Sequence, residues 1–478
     1  MPARAEGLRD FLARQEKEHL VDLLFDHALL DDRLLQKLAL EQAKRGGRQP
    51  DLAAMRRNLE AAFNTEDVYS YRAVGGFADE LDEAVDALED WLKEGMAEEV
   101  IDLAEHAIGL GEEALGQVDD SDGEVYGVLE RLRELHLKAC RKAKPDPEAL
   151  ARRLFEWELR TDWDSFYGAV DAYADVLGKR GLAVYRELAE AEWEKVPARI
   201  AGDSSSSSGR GWSAGQILER LARSAGDIEA LVAIKSRDLS RPWSYLQIAE
   251  IYKEAGKRDL AVEWAEKGIR DFPKQTDSRL RTFLANEYAA RRRHGEALDL
   301  LWANFADAPG LAAYQELKKL AEKAKAWPDW REKALALLRE RAGKAKSAPS
   351  ARWPAFDFGR GAASQLVEIL LWEKKVEDAW ASARQHGCSE DLWLRLANAR
   401  EPLHPEDSLA VYQRQAESVL QHTSQRGYEI AVARLKQVRD VMTRLGKTRE
   451  LAAYLAAVRL AHKRKRNFLK LLDGAKLG

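Results

Sequence analysis

The pentapeptide GWSAG, Gly211 to Gly215, has the Gly-x-Ser-x-Gly spacing of a serine nucleophile. That pattern works where a strand-to-helix turn lifts the serine above a sheet, beside backbone N–H groups that stabilise an oxyanion. Here a serine run precedes it and no strand pattern leads into it, so Ser213 is expected to cap a helix beginning near Ala214. GLGEEALG, Gly109 to Gly116, is glycine-rich but has no lysine and lies in an acidic block that would repel phosphate. It reads as a loosened helix end. DDSDGE, Asp119 to Glu124, has the composition of a calcium loop. With Gly123 in sixth place, Val118 would stand first and Leu129 twelfth, and neither coordinates calcium. A turn before the helix EVYGVLERLRELHLKAC is expected instead. His386 and Cys388 are two apart, but no second pair completes a zinc site. His19 and His27, near Asp22 and Asp26, read as a solvated helix face, with a weak metal site as the alternative. No Walker-type or dinucleotide fingerprint occurs. No catalytic residue, metal or cofactor is predicted, and the chain is expected not to be an enzyme.

The elements that position these residues all read as helices. Apolar residues recur at three and four, Ala, Leu, Glu, Arg and Lys dominate, and β-branched alternation is absent. The helices repeat. SYLQIAEIYKEAGKRDLAVEWAEKGIRDFP, Ser244 to Pro273, has small residues and a tyrosine on a first helix, a glycine turn, small residues on a second, and a closing proline. The segment after it repeats the pattern: Ile248 and Leu284, Tyr252 and Tyr288, Ala261 and Ala297, Pro273 and Pro309 are each 36 apart. This is a tetratricopeptide-like period, and it predicts an all-α fold, an α-solenoid of antiparallel helix pairs. Weaker copies flank it, around Trp91 to Ala104 and Leu366 to Ala383. The 14 tryptophans, several at helical spacing, are expected in the inter-helix core. Two breaks interrupt the array, giving the expected division 1–201, a Ser-rich loop 202–210, repeats 211–343, a Pro/Gly connector 344–361, and C-terminal repeats 362–478.

Charge and cysteines bound the partners. The net charge is −5. Gly76 to Glu124 nevertheless carries 18 acidic residues against one basic, and Ala431 to Gly478 carries 13 basic against three acidic. Asp79, Glu80, Asp82, Glu83 and Asp86 mark the acidic patch; Lys463, Arg464, Lys465, Arg466 and Lys470 mark the basic one. Solvated faces are the simplest reading. The alternatives are salt-sensitive self-association between the two and phosphate binding by the basic end, each weakened by salt. Two distant cysteines, no signal-peptide core and no long apolar run predict a reducing compartment, the cytoplasm, and no membrane span. In tetratricopeptide arrays the exposed positions of each first helix line a groove; here these are Glu250 and Lys253, then Thr282 and Asn286. The last helix is expected to start near Arg449, with His462 and Lys465 continuing its buried stripe.

Two long stretches carry a resemblance: VDDSDGEVYGVLERLRELHLKACRKAKPDPEALARRLFEWELRTDWDSFYGAVDAYADVLG and the closing HKRKRNFLKLLD. With FLARQEKEHLVDLL near the start, they resemble the helical region that follows the zinc finger of bacterial SWIM zinc-finger proteins. The finger itself is absent, because the sequence has no Cys-x-Cys followed by Cys-x-His. The resemblance implies a partner-binding scaffold. The expected function is thus non-catalytic protein–protein interaction through the repeat groove; the alternative is a nucleic-acid accessory role for the basic end.

Overall fold

Helices with one apolar stripe must pair to bury it. The computed structural model describes residues 11–30, 34–35, 38, 51–65, 71–160, 163, 165–204, 209–346, 361–421 and 424–477. Among these residues there are 23 α-helices, and the only extended pairing is a parallel bridge between Arg199 and Asp238. The expected all-α class of paired helices is observed. The chain forms two compact units, residues 1–256 and 257–478.

The first unit contains α1 (Lys17–Ala28), α2 (Leu52–Ala62), α3 (Tyr71–Lys93), α4 (Ala97–Leu115), α5 (Glu124–Ala143), α6 (Pro147–Arg160), α7 (Ala169–Ala172), α8 (Ala174–Glu194), α9 (Arg210–Ala225), α10 (Ile228–Lys235) and α11 (Pro242–Glu254). α4 packs on α5, α6 on α8, and α8 on α9. Their apolar stripes merge into one core around Leu81, Leu132, Phe155 and Tyr185. Glycines set the closest approaches. GLGEEALG forms the end of α4, as expected, but stays helical as far as Leu115, with Gly116 as the C-cap. Gly109 faces the Trp157 ring, and Gly111 lies against the Leu129 side chain, with no room between for a larger residue. The acidic stretch before α5 is a turn, as expected, and it also caps the helix: the Asp120 carboxylate accepts from Val125 N–H and Tyr126 N–H, each at 3.0 Å.

The second unit contains α12 (Arg258–Asp271), α13 (Ser278–Ala290), α14 (His294–Asp307), α15 (Leu311–Lys323), α16 (Trp327–Lys346), α17 (Ala362–Trp372), α18 (Val376–His386), α19 (Glu390–Arg400), α20 (Pro405–Leu420), α21 (Gln425–Arg444), α22 (Thr448–Ala461) and α23 (Arg466–Gly474). From α12 to α22 each helix packs on its sequence neighbour, α14 to α17 also touch the helix after next, and α23 packs back on α21, the contact pattern of a stacked repeat array. Three of the four pairs that defined the 36-residue period are buried: Ile248 and Leu284, Tyr252 and Tyr288, Ala261 and Ala297. Gly256 turns the first repeat at φ 76°, a left-handed conformation that glycine adopts without strain.

The compact units part at Gly256, inside that first repeat, and not at the two expected breaks. The reason is packing across both breaks. α8 contacts α9 across the Ser-rich stretch, and α16 contacts α17 across the connector. Residues 205–208 and 347–360 of those stretches lie outside the described residues. The tryptophans also differ from expectation. Among the described residues Trp91 and Trp380 are buried, seven tryptophans are half-buried and four are exposed, and several carry a cation over an open face: Lys333 is 4.3 Å from both Trp302 and Trp330, and Lys318 is 4.8 Å from Trp372. An indole is too large to be wholly enclosed between slender helices, and its outer face attracts cations.

Candidate functional site

A cleft of about 550 Å3 opens in the first unit, and GWSAG forms one wall. α9 begins at Arg210 with Gly209 at its cap, so Ser213 lies inside the helix and does not cap it as expected. Ser213 is not part of the cleft lining either. The two glycines are what matter. A Cβ on Gly215 would stand 2.6 Å from the Trp193 ring, and one on Gly211 would overlap Val196. Four residues apart on one face, they let α9 close onto the end of α8, so that Trp193 becomes part of the cleft wall.

Backbone pairing locks the opposite wall. Arg199 N–H donates to Arg237 O at 2.7 Å, and Leu239 N–H to Arg199 O at 2.9 Å. Arg199, itself buried, pairs with Asp238 at 2.8 Å, and Ser240 Oγ donates to the same carboxylate at 2.6 Å. Lys235 pairs with Glu219 at 2.7 Å and Lys195 with Glu192 at 3.0 Å. Arg237 is held differently. Its Nε donates to Val196 O at 2.6 Å and its Nη2 to Glu194 O at 3.0 Å, while the guanidinium lies 5.5 Å over the Trp193 ring. It thereby satisfies carbonyls left open where α8 ends. Among the described residues it has no carboxylate partner. Trp212, half exposed, together with Gln216, Gln247 and Ser244, completes the lining. No histidine or cysteine lines the cleft.

One buried cluster does combine nucleophile and base types. His136, fully buried, meets Tyr173 Oη at 2.7 Å through Nδ1 and Glu105 at 3.1 Å through Nε2, with the Cys140 sulfur 3.8 Å away. Burial pushes the fully enclosed Cys140 thiol up to about 12, so it stays protonated. The cluster satisfies polar groups inside the core. Cys388 is likewise pushed up to about 12 by burial, and Glu390 adds to the effect. No group of three or more His, Cys, Asp or Glu is placed to hold a metal among the described residues.

The residues singled out by sequence are not brought to one place. Glu250, exposed, and Lys253, half-buried, lie on α11 of the first unit; Thr282 and Asn286 lie on α13 of the second. Thr282 serves the fold, because Asn304 Nδ2 donates to its Oγ1 at 3.0 Å. In the acidic patch Asp79, Glu80 and Glu83 are exposed, whereas Arg131 from α5 bridges Asp82 at 2.9 Å, Asp86, and Glu89 at 3.2 Å. The basic end is not one helix. α22 stops at Ala461, the chain turns through residues 462–465, and α23 starts at Arg466. The turn lets Phe468 and Leu472 enter the core, with His462 edge-on to Phe468 at 5.9 Å. Burial and the neighbouring Lys465 lower the His462 pKa. Lys465 Nζ donates to Leu420 O at the end of α20, while Lys463, Arg464, Arg466 and Lys470 are exposed. Sequence reading missed Trp193, Arg237 and Gln247; the signal available was the Gly211/Gly215 spacing, read as chemistry instead of close packing.

No helix among the described residues is long and apolar enough to cross a membrane. Solved structures similar to this chain include the human IFIT1 dimer with PPP-AAAA, at 12% identity, 88% of this chain, 93% of that chain and TM-score 0.24. Naa15/Naa10 bound to HypK-THB matches at 14% identity, 96% and 81% coverage and TM-score 0.26. The TPR domain of P58(IPK) matches at 12% identity, 75% and 98% coverage and TM-score 0.21. No curated protein matches the chain. The family match spans residues 10–471, nearly the whole sequence, and the chain therefore belongs to DUF6880, a family of unknown function.

Proposed function

We propose that the chain is a non-catalytic scaffold for a protein partner, an extended segment of which enters the cleft of the first unit. The observation that carries this reading is an exposed indole, Trp212, beside two side-chain amides, Gln216 and Gln247, that have no hydrogen-bond partner among the described residues. An amide side chain offers a donor and an acceptor side by side, as a peptide backbone does. Such groups beside an aromatic face suit an extended chain. The cleft volume lies within the range of about 300–1,000 Å3 common for binding sites. Glu250, expected in the groove, lies one turn beyond Gln247 on α11, and Lys253 follows it, so a bound segment has polar surface to continue along. The resemblance to the helical region of SWIM zinc-finger proteins fits a binding role and brings no zinc ligand. Two free thiols support the cytoplasm as the setting.

The test compares wild type with Trp212→Ala/Gln247→Ala as immobilised baits for cell extract, read by quantitative mass spectrometry. An exposed aromatic anchor of this kind changes retention by about tenfold or more. Partners should be depleted on the variant, whose circular dichroism should match wild type. The same proteins retained equally by both baits would refute the reading.

A further inference from the structure

The charges in the cleft say more about the occupant. Its lining holds four cations, Lys195, Arg199, Lys235 and Arg237, and three carboxylates, Glu192, Glu219 and Asp238. Each carboxylate is already paired with one of the first three cations. That leaves Arg237, whose guanidinium is fixed on two backbone carbonyls and on the Trp193 ring. A guanidinium held in place loses little freedom on meeting a carboxylate, and its bond to an anion is among the stronger ones. Trp212 lies on the first turn of α9 in the same lining.

We propose that the cleft selects an extended peptide segment carrying an acidic residue next to an apolar one, with the carboxylate on Arg237 and the apolar side chain against Trp212. This rests on the reading of the cleft as a peptide site. Gln216 and Gln247 pair with the backbone of the segment and read no sequence. Arg237 reads the charge. A cationic residue at the same place would face an unneutralised guanidinium and be rejected.

Three pools of fluorescein-labelled, blocked hexapeptides, randomised except for a central Asp, Asn or Lys flanked by Leu, test this by anisotropy on the full chain. The Asp pool should bind about tenfold tighter than the Asn pool, and the Lys pool more weakly still, with the preference shrinking as salt rises. In Arg237→Gln the Asp and Asn pools should bind equally, the preference being abolished; Arg237→Lys, which keeps the charge, should retain part of it. Melting curves of both variants confirm that the fold survives. Equal binding of all pools, lost in Trp212→Ala, would overturn the acidic preference and leave the peptide site standing. No binding by any pool, or binding indifferent to Trp212→Ala, would overturn both. A labelled single-stranded oligonucleotide that bound wild type and was lost with Arg237→Gln would overturn the proposal in favour of a phosphate ligand.

Discussion

Alanine at Gly111 sets two opposing effects against each other, and the structure says which wins. In a helix interior alanine is favoured over glycine by about 1 kcal/mol, because glycine loses more backbone freedom. At Gly127 on α5 a Cβ would meet nothing within 4 Å, so Gly127→Ala should stabilise the protein by about 0.5–1 kcal/mol. At Gly111 on α4 the new methyl would overlap Leu129 and stand 3.1 Å from the Phe63 ring. Both neighbours are buried, at 3% and 5% exposure, so neither can swing into solvent. Overpacking of this kind costs about 1–3 kcal/mol. The propensity gain offsets part of it, leaving Gly111→Ala between neutral and about 2 kcal/mol destabilising. Urea unfolding followed by far-UV circular dichroism gives the comparison directly: at unchanged slope, the two midpoints should move apart, Gly127→Ala upward and Gly111→Ala downward or not at all. A Gly111→Ala variant stabilised as much as Gly127→Ala would refute the claim that Gly111 sets the spacing of α4 and α5.

Two further outcomes concern charge. Burial raises the pKa of Glu158 above its ordinary 4.5, although Tyr185 Oη donates to it at 2.6 Å and Gly168 N–H at 2.9 Å. The folded chain therefore binds a proton more tightly than the unfolded one, and this group's contribution declines as pH rises from about 4.5 through the folded pKa. Glu158→Gln should flatten that part of the stability profile in pH-dependent urea melts, and an unchanged slope would contradict it. At the basic end, reversing the exposed Lys463, Arg464 and Arg466 to Glu should leave stability within about 0.5 kcal/mol, whereas Lys465→Met, which strips a donor from Leu420 O, should cost about 1 kcal/mol. Equal effects in thermal melts would show that Lys465 has no special role. A low-salt gel shift of wild-type protein should show no nucleic-acid complex removed by the reversal; a complex lost with it would favour the nucleic-acid reading.

Much of the fold was legible because helices and their pairing are written locally. The 36-residue spacing of Ile248/Leu284, Tyr252/Tyr288 and Ala261/Ala297 marked residues that are buried. The acidic stretch at Asp120 was legible as a turn before a helix, since its ligands for calcium were wrong and the helix after it was plain; that Asp120 caps the helix was not. The site was not legible. Its guanidinium, indoles and amides come from α8, α9, α11 and the loops between them, and no spacing in one segment announces such a meeting. GWSAG shows the difficulty: the serine attracted attention, while the glycines beside it shape the cleft by what they leave out.

The sequence by itself determined an all-α chain of paired helices, because the period of its apolar residues dictates which face each helix must bury. It also determined the strong charge difference between its acidic and basic stretches, which is a matter of composition. Only the tertiary structure decided which charges remain available. Asp82, Asp86 and Lys465 are spent inside the fold, on Arg131 and on Leu420 O, while Arg237 has no carboxylate partner among the described residues. The physical reason is that pairing depends on distances between side chains far apart in sequence. Those distances exist only once the helices have packed.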